Sequence, residues 1–117
     1  MTDVTIYHNQ ACSTSRHAMG EIAQAGADAT VVRYLQTPLD RAALLELLAK
    51  LEDPPADLVR KDDFFKAQGL SPDDYVTPEA VADLLVEHPR LMQRPVLVRG
   101  DRAIIGRPKD RVSAFLT

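Results

Sequence analysis

Apolar and polar positions divide the chain into short segments of distinct period. Val4-Thr5-Ile6-Tyr7-His8 is a run of β-formers that gives way at once to Asn9-Gln10-Ala11-Cys12, and Ser13 to Ala25 then reads as a helix stopped by Gly26. Thr30-Val31-Val32-Arg33-Tyr34-Leu35 predicts a second strand. Thr37-Pro38 turns the chain into a helix over Asp40 to Leu51, where Asp40 is the expected cap and Leu44, Leu45, Leu47, Leu48 and Leu51 form an apolar stripe that reads as core. A β-α-β opening of this length requires a right-handed crossover, so the first two strands should pair in parallel.

Pro54-Pro55 separates this part from Ala56 to Arg60, and Lys61 to Asp74 is polar enough for short helices and loops. Thr77-Pro78-Glu79 combines a capping side chain with a proline at the first helical position, and Pro89 stops that helix just after His88. Pro95 to Arg99 and Ala103 to Gly106 flank Gly100-Asp101 and predict an antiparallel hairpin. Pro108 to Leu116 predicts a last helix. The order gives an α/β chain with a mixed four-stranded sheet flanked by helices.

Composition narrows the function classes. With 117 residues, 45% apolar and 26% charged, residues 1–117 are expected to form a single soluble domain that needs no disulfide framework or structural metal. Apolar stretches are interrupted by charge far short of a membrane span, and the N-terminus shows no basic segment followed by a long apolar run. The expected location is therefore cytoplasmic, with no membrane partner. A net charge of -3 argues against nucleic acid as the main partner.

The chemistry centres on the one cysteine in the sequence, Cys12, which falls where a strand ends and a helix begins. Unpaired amides and the positive end of the helix dipole favour a thiolate there, whereas a buried inert thiol is the alternative for any free cysteine. His8, Ser15 and Arg16, together with the hydroxyls and amides of Ser13 and Thr14, favour charge on sulfur. A Cys-x5-Arg phosphate loop is excluded because Ala18 stands where its arginine would be. A Cys-x-x-Cys dithiol is excluded because Ser15 occupies the second position, so any disulfide formed in turnover must be with another molecule's thiol. Asp62-Asp63 and Asp73-Asp74 read as solvated loop charges and no metal site is expected. His17 reads as a helix-face residue, His88 as a helix C-terminal residue, and Phe64-Phe65 as a satellite of the core.

Five motifs carry a resemblance that covers almost the whole chain: His8-Asn9-Gln10-Ala11-Cys12-Ser13-Thr14-Ser15-Arg16, Tyr34-Leu35-Gln36-Thr37-Pro38, Leu58-Val59-Arg60-Lys61, His88-Pro89-Arg90-Leu91-Met92-Gln93-Arg94-Pro95 and Gly106-Arg107-Pro108. In this order they resemble the glutaredoxin-coupled arsenate reductases, a family with a thioredoxin-like fold. The resemblance implies Cys12 as nucleophile, Arg60, Arg94 and Arg107 as an oxyanion cradle, and His8, Ser15 and Arg16 as tuners of the thiolate. It implies arsenate as substrate, glutathione as co-substrate, glutaredoxin as partner and no bound cofactor. It also implies a cis peptide at Arg94-Pro95. Gln10 departs from the family, which usually has proline there. Two other readings use the same scaffold: a glutathione-dependent thiol reductase with another substrate, and a transcription-regulating adaptor, against which the full arginine set and the lack of a second cysteine argue.

Overall fold

The elements of the computed structural model, which describes residues 4–117, run β1 (Val4–Tyr7), α1 (Ser13–Gln24), β2 (Ala29–Val32), α2 (Arg41–Lys50), α3 (Asp63–Ala67), α4 (Pro78–Glu87), β3 (Val96–Arg99), β4 (Arg102–Ile105) and α5 (Arg111–Leu116). Residues 1–3, which open the segment read above for a leader, lie outside the described residues. Short 3-10 turns at Pro55–Leu58, Pro72–Asp74 and Pro89–Leu91 each begin with a proline, whose fixed φ suits a first helical position.

The strands form one sheet in the order β2-β1-β3-β4. β1 pairs in parallel with β2 and antiparallel with β3, and β3 and β4 form the expected hairpin. Gly100 opens the two-residue hairpin loop at a φ of 65°, a conformation that glycine adopts without a steric penalty. Alternation along the strands sends Val4, Ile6, Leu97 and Ile104 to one face, where Ala18 and Ile22 of α1 and Val112 and Phe115 of α5 cover them. Val96, Ala103 and Ile105 face the other way, onto Leu44, Leu47 and Leu48 of α2 and Val81, Leu84 and Leu85 of α4.

Caps fix where the helices begin. Asp40 accepts from the Ala43 N–H at 2.8 Å and Thr77 from the Ala80 N–H at 3.2 Å, contacts worth about 1 kcal/mol each. Three expectations are corrected. β2 ends at Val32 rather than Leu35, because residues 33–37 close a turn in which the Gln36 and Thr37 N–H groups both donate to the Arg33 carbonyl. α5 starts at Arg111 rather than Pro108, after a turn in which the Arg111 N–H donates to the Pro108 carbonyl. Phe65 is no satellite: it is 1% exposed and belongs to the main core with Leu58 and Val81.

Register determines what meets at one edge of the sheet. Tyr7 at the end of β1 pairs with Val96 at the start of β3, which pairs with Ile105 at the end of β4. The segments just beyond this row, His8 to Cys12, Arg94-Pro95 and Gly106-Arg107, therefore converge. An isolated bridge between Val59 and Met92, flanked by hydrogen bonds from Arg60 N to Leu91 O and from Gln93 N to Leu58 O, both 2.7 Å, brings Arg60 to the same edge. The Arg94-Pro95 peptide is cis, as expected, and Arg107-Pro108 is cis as well.

Gly106 is where these segments touch most closely. A Cβ there would meet Pro95 Cγ at 2.8 Å, Leu97 Cδ1 at 3.2 Å and Val112 Cγ2 at 3.2 Å. Gly106→Ala is expected to cost about 1–3 kcal/mol by overpacking, read as a lower midpoint in urea with an unchanged denaturant slope. A midpoint equal to that of the wild type would show that the Pro95 segment yields freely.

Candidate active site

Cys12 is the N-cap residue of α1, with the extended backbone that this position requires (φ -100°, ψ 123°), and its carbonyl accepts the first helical bond from Arg16 N at 3.0 Å. Asn9 shapes the loop before it. Its side-chain oxygen accepts from the Ala11 N–H at 2.9 Å and its carbonyl accepts from the Cys12 N–H at 3.0 Å. Arg16 Nη1 donates to the Gln10 carbonyl at 2.8 Å and braces the loop from the helix side. The loop with Gln10 in place of proline is thus held by Asn9 and Arg16.

Electrostatics at the sulfur oppose burial and win. Burial pushes the Cys12 thiol up, but the backbone N–H of Ser15, the Arg94 side chain, the backbone N–H of Thr14 and the Arg94 charge together hold it below the ordinary thiol value. Arg107 adds a direct contact, Nη2 to Sγ at 3.4 Å, and is itself oriented by donating Nε to the Arg94 carbonyl at 2.7 Å. Cys12 remains 9% exposed, so the sulfur is sheltered without being sealed.

The first helical turn works differently from the expectation. The Ser15 hydroxyl lies 2.6 Å from His8 Nδ1 and accepts from the Asn9 N–H at 3.1 Å, and the sulfur receives the Ser15 backbone N–H. Burial, then Arg33 and Arg16, hold His8 below the ordinary histidine value, which keeps the ring neutral. His8 and Ser15, 7% and 0% exposed, lock the end of β1 to the start of α1. The hydrogen bond of Arg16 goes to the loop carbonyl. These three residues stand where the sequence placed them, but they shape the loop that presents Cys12.

Arg94 and Arg107 reach the sulfur, and Arg60 lies near both of them. Burial, then the Arg94 charge, lowers the Arg60 pKa, with Arg107 adding to the effect, a sign that like charges are held together. Such a cluster is stable only if something negative offsets it. Asp62, expected to be a solvated loop charge, does part of this: Oδ1 accepts from the Phe65 N–H at 3.0 Å as the cap of α3, and Oδ2 pairs with Arg60 Nη1 at 3.2 Å. Arg94 Nε is buried with no hydrogen-bond partner among the described residues. A buried, unpaired donor costs about 1–3 kcal/mol, so the Arg94 side chain is held beside Cys12 at a cost to the fold.

Tyr34 is the functional residue that sequence reasoning passed over. It is 1% exposed and its hydroxyl donates toward the Met92 carbonyl at 3.4 Å, while the side chains of Asn9 and Arg94 act as donors toward its oxygen. Burial raises its pKa, and the charges of Arg94 and Arg60 oppose that rise. The phenol thus ties the cysteine loop to Arg94. The usable signal was a polar-tipped aromatic at the end of an apolar run, which must find a partner when buried. Tyr34→Phe is expected to raise KM for the oxyanion about two- to tenfold, the worth of one ordinary hydrogen bond, while leaving the Cys12 alkylation midpoint unchanged. An unchanged KM would remove Tyr34 from the site.

The described residues hold no cluster of three or more metal-ligating side chains, and no helix among them is long and apolar enough to cross a membrane. What the arrangement can do is attack a tetrahedral oxyanion with a thiolate while cations hold its oxygens.

Comparison with known proteins agrees with that geometry. The model of the ArsC family matches residues 7–115. The chain is 40% identical over 111 residues to the uncharacterized protein YfgD of Escherichia coli (strain K12), covering 93% of this chain and 92% of that one. It is 34% identical over 117 residues to an arsenate reductase of the same strain, covering 99% of this chain and 82% of that one. Among solved structures, an arsenate reductase from Vibrio cholerae superposes with a TM-score of 0.84 at 30% identity, covering 95% of each chain. The fold is the thioredoxin-like α/β arrangement that the motifs implied.

Proposed function

Because the chain belongs to the ArsC family, we propose that it reduces arsenate to arsenite with glutathione and glutaredoxin as the source of electrons. The observation that carries this reading is the activated Cys12 with the Arg94 and Arg107 side chains at its sulfur and Arg60 near both arginines. Arsenate resembles phosphate and carries roughly -1.5 to -2 charges near neutral pH, so a thiolate that approaches it meets like charge. Guanidinium forks lower that barrier because each can hold two oxygens in one plane.

In this reading the Cys12 thiolate displaces one oxygen of arsenate, which leaves as water, and a sulfur–arsenic bond forms. Glutathione adds a second thiol to make a mixed adduct, and glutaredoxin resolves it. The glutathione and glutaredoxin sulfurs leave as a mixed disulfide, their two electrons reduce arsenic(V) to arsenic(III), and water cleaves the Cys12 sulfur–arsenic bond to release arsenite and return the thiol. The single cysteine supports an outside thiol, since an internal disulfide cannot form.

The test is arsenate-dependent oxidation of NADPH in the presence of glutathione, glutaredoxin and glutathione reductase. Wild type is expected to turn over, Cys12→Ser to be inactive, and thioredoxin without glutathione to give no turnover. Full activity with thioredoxin alone would overturn the electron source. Gln10 and the 40% identity to a relative without an assigned reaction favour one second reading, a glutathione-dependent thiol reductase on the same scaffold. A folded protein whose Cys12 titrates low, which ignores arsenate and which reduces a glutathione mixed disulfide would favour it.

A further inference from the structure

On the far side of Arg107 the fold leaves a cleft of about 330 Å³ whose polar wall is formed by Asp53, Asp57, Lys61, Gln93, Arg107 and Arg111. That volume is at the lower end of the range for small-molecule sites. Part of the wall is committed to structure. Asp53 accepts from Arg111 Nη1 at 2.7 Å and from the Ile105 N–H at 3.0 Å, and Arg111 Nη1 also reaches the Ile105 and Arg107 carbonyls. Asp57 and Lys61 are exposed and have no ion-pair partner among the described residues; Lys61 Nζ donates only to the Ala56 carbonyl. The cleft therefore offers one uncommitted anion and one uncommitted cation. Arg107 connects it to the reacting sulfur, with Nη2 3.4 Å from Cys12 Sγ.

Three cations and two anions line this cleft, an excess of one positive charge. A small thiol peptide with two carboxylates and one ammonium has the complementary excess of one negative charge. A second cleft, beside the cysteine loop and of about 200 Å³, is lined by Arg33 and holds no carboxylate to pair with an ammonium. We infer that the cleft bounded by Asp57, Lys61 and Arg107 docks the thiol co-substrate, a zwitterionic thiol peptide of the glutathione type, with its ammonium at Asp57 and a carboxylate at Lys61. The inference rests on Cys12 exchanging with an outside thiol, and it needs no arsenate.

Thiol–disulfide exchange tests it directly. The Cys12 thiolate attacks one sulfur of glutathione disulfide, the Cys12–glutathione disulfide forms, and one glutathione thiolate leaves, with no further oxidant. The second-order rate, followed by the mass of the adduct, is compared with that for the uncharged bis(2-hydroxyethyl) disulfide, so that the ratio cancels any change in Cys12 itself. Lys61→Glu and Asp57→Lys are each expected to lower the ratio about three- to fivefold, the worth of one exposed ion pair. Asp57→Lys is decisive, because simple attraction between a more positive protein and an anionic disulfide would raise the ratio. A raised or unchanged ratio in Asp57→Lys, or an unchanged ratio in Lys61→Glu, overturns the inference. A protein inactive on arsenate that still shows both decreases keeps the docking site and loses only the proposed substrate.

Discussion

Arg94→Ala is expected to lower kcat/KM for arsenate by about 10- to 150-fold, the equivalent of about 1.5–3 kcal/mol for one charge-assisted hydrogen bond. Arg94 should show the largest loss of the three arginines because it acts on the sulfur as both a donor and a charge. Arg107→Ala removes the contact to sulfur at 3.4 Å and also frees the Arg94 carbonyl, so its loss should fall in the same range. Arg60→Ala should lose less, since Arg60 already shares its charge with Asp62 at 3.2 Å. Arg94→Lys should recover part of the loss, because a point charge cannot hold two oxygens in one plane. Arg41, exposed and paired with Asp83 at 2.7 Å, is the control and should change kcat/KM by less than about twofold. Equal losses in Arg41→Ala and Arg94→Ala would show that net charge, rather than a cradle, governs arsenate handling.

Much of this site was legible in the sequence because it depends on element boundaries. Cys12 between a run of β-formers and a helical period had to be an N-cap, and the prolines after Arg94 and Arg107 marked those arginines as lying at strand ends. What could not be read is which donor serves which acceptor. Whether the Ser15 hydroxyl lies against the sulfur or against His8 depends on how closely β1 approaches α1, and the structure places it 2.6 Å from the imidazole Nδ1. Asp62 looked like one of two adjacent loop charges until the fold of residues 58–60 against 91–93 brought Arg60 within its reach. Tyr34 was hidden for the opposite reason: as part of an apolar run it read as strand, and only the early end of β2 turns its hydroxyl toward the arginines.

The pH dependence of Cys12 separates these contributions and assumes no substrate. An ordinary thiol titrates near ~8.5, and the midpoint for iodoacetamide alkylation of Cys12 is expected below it. Arg94→Ala should raise the midpoint toward the ordinary value, because it removes a donor and a charge from the sulfur while leaving burial in place. Ser15→Ala should barely move it, since the backbone N–H that serves the sulfur remains. That substitution should instead cost stability, about 1–3 kcal/mol, because His8 Nδ1 and the Asn9 N–H lose their shared partner in a buried place. Stability gives a second readout with a definite sign. Cys12 has a lower pKa folded than unfolded, so its thiolate stabilises the fold fully above about 8.5, and this contribution is lost as pH falls through the folded midpoint. The Tm advantage of wild type over Cys12→Ser should therefore grow as pH rises from the folded midpoint and level off near the ordinary thiol value. A midpoint at or above ~8.5 would return Cys12 to an inert core thiol. A larger rise in Ser15→Ala than in Arg94→Ala would move the activation from the arginines to the hydroxyl.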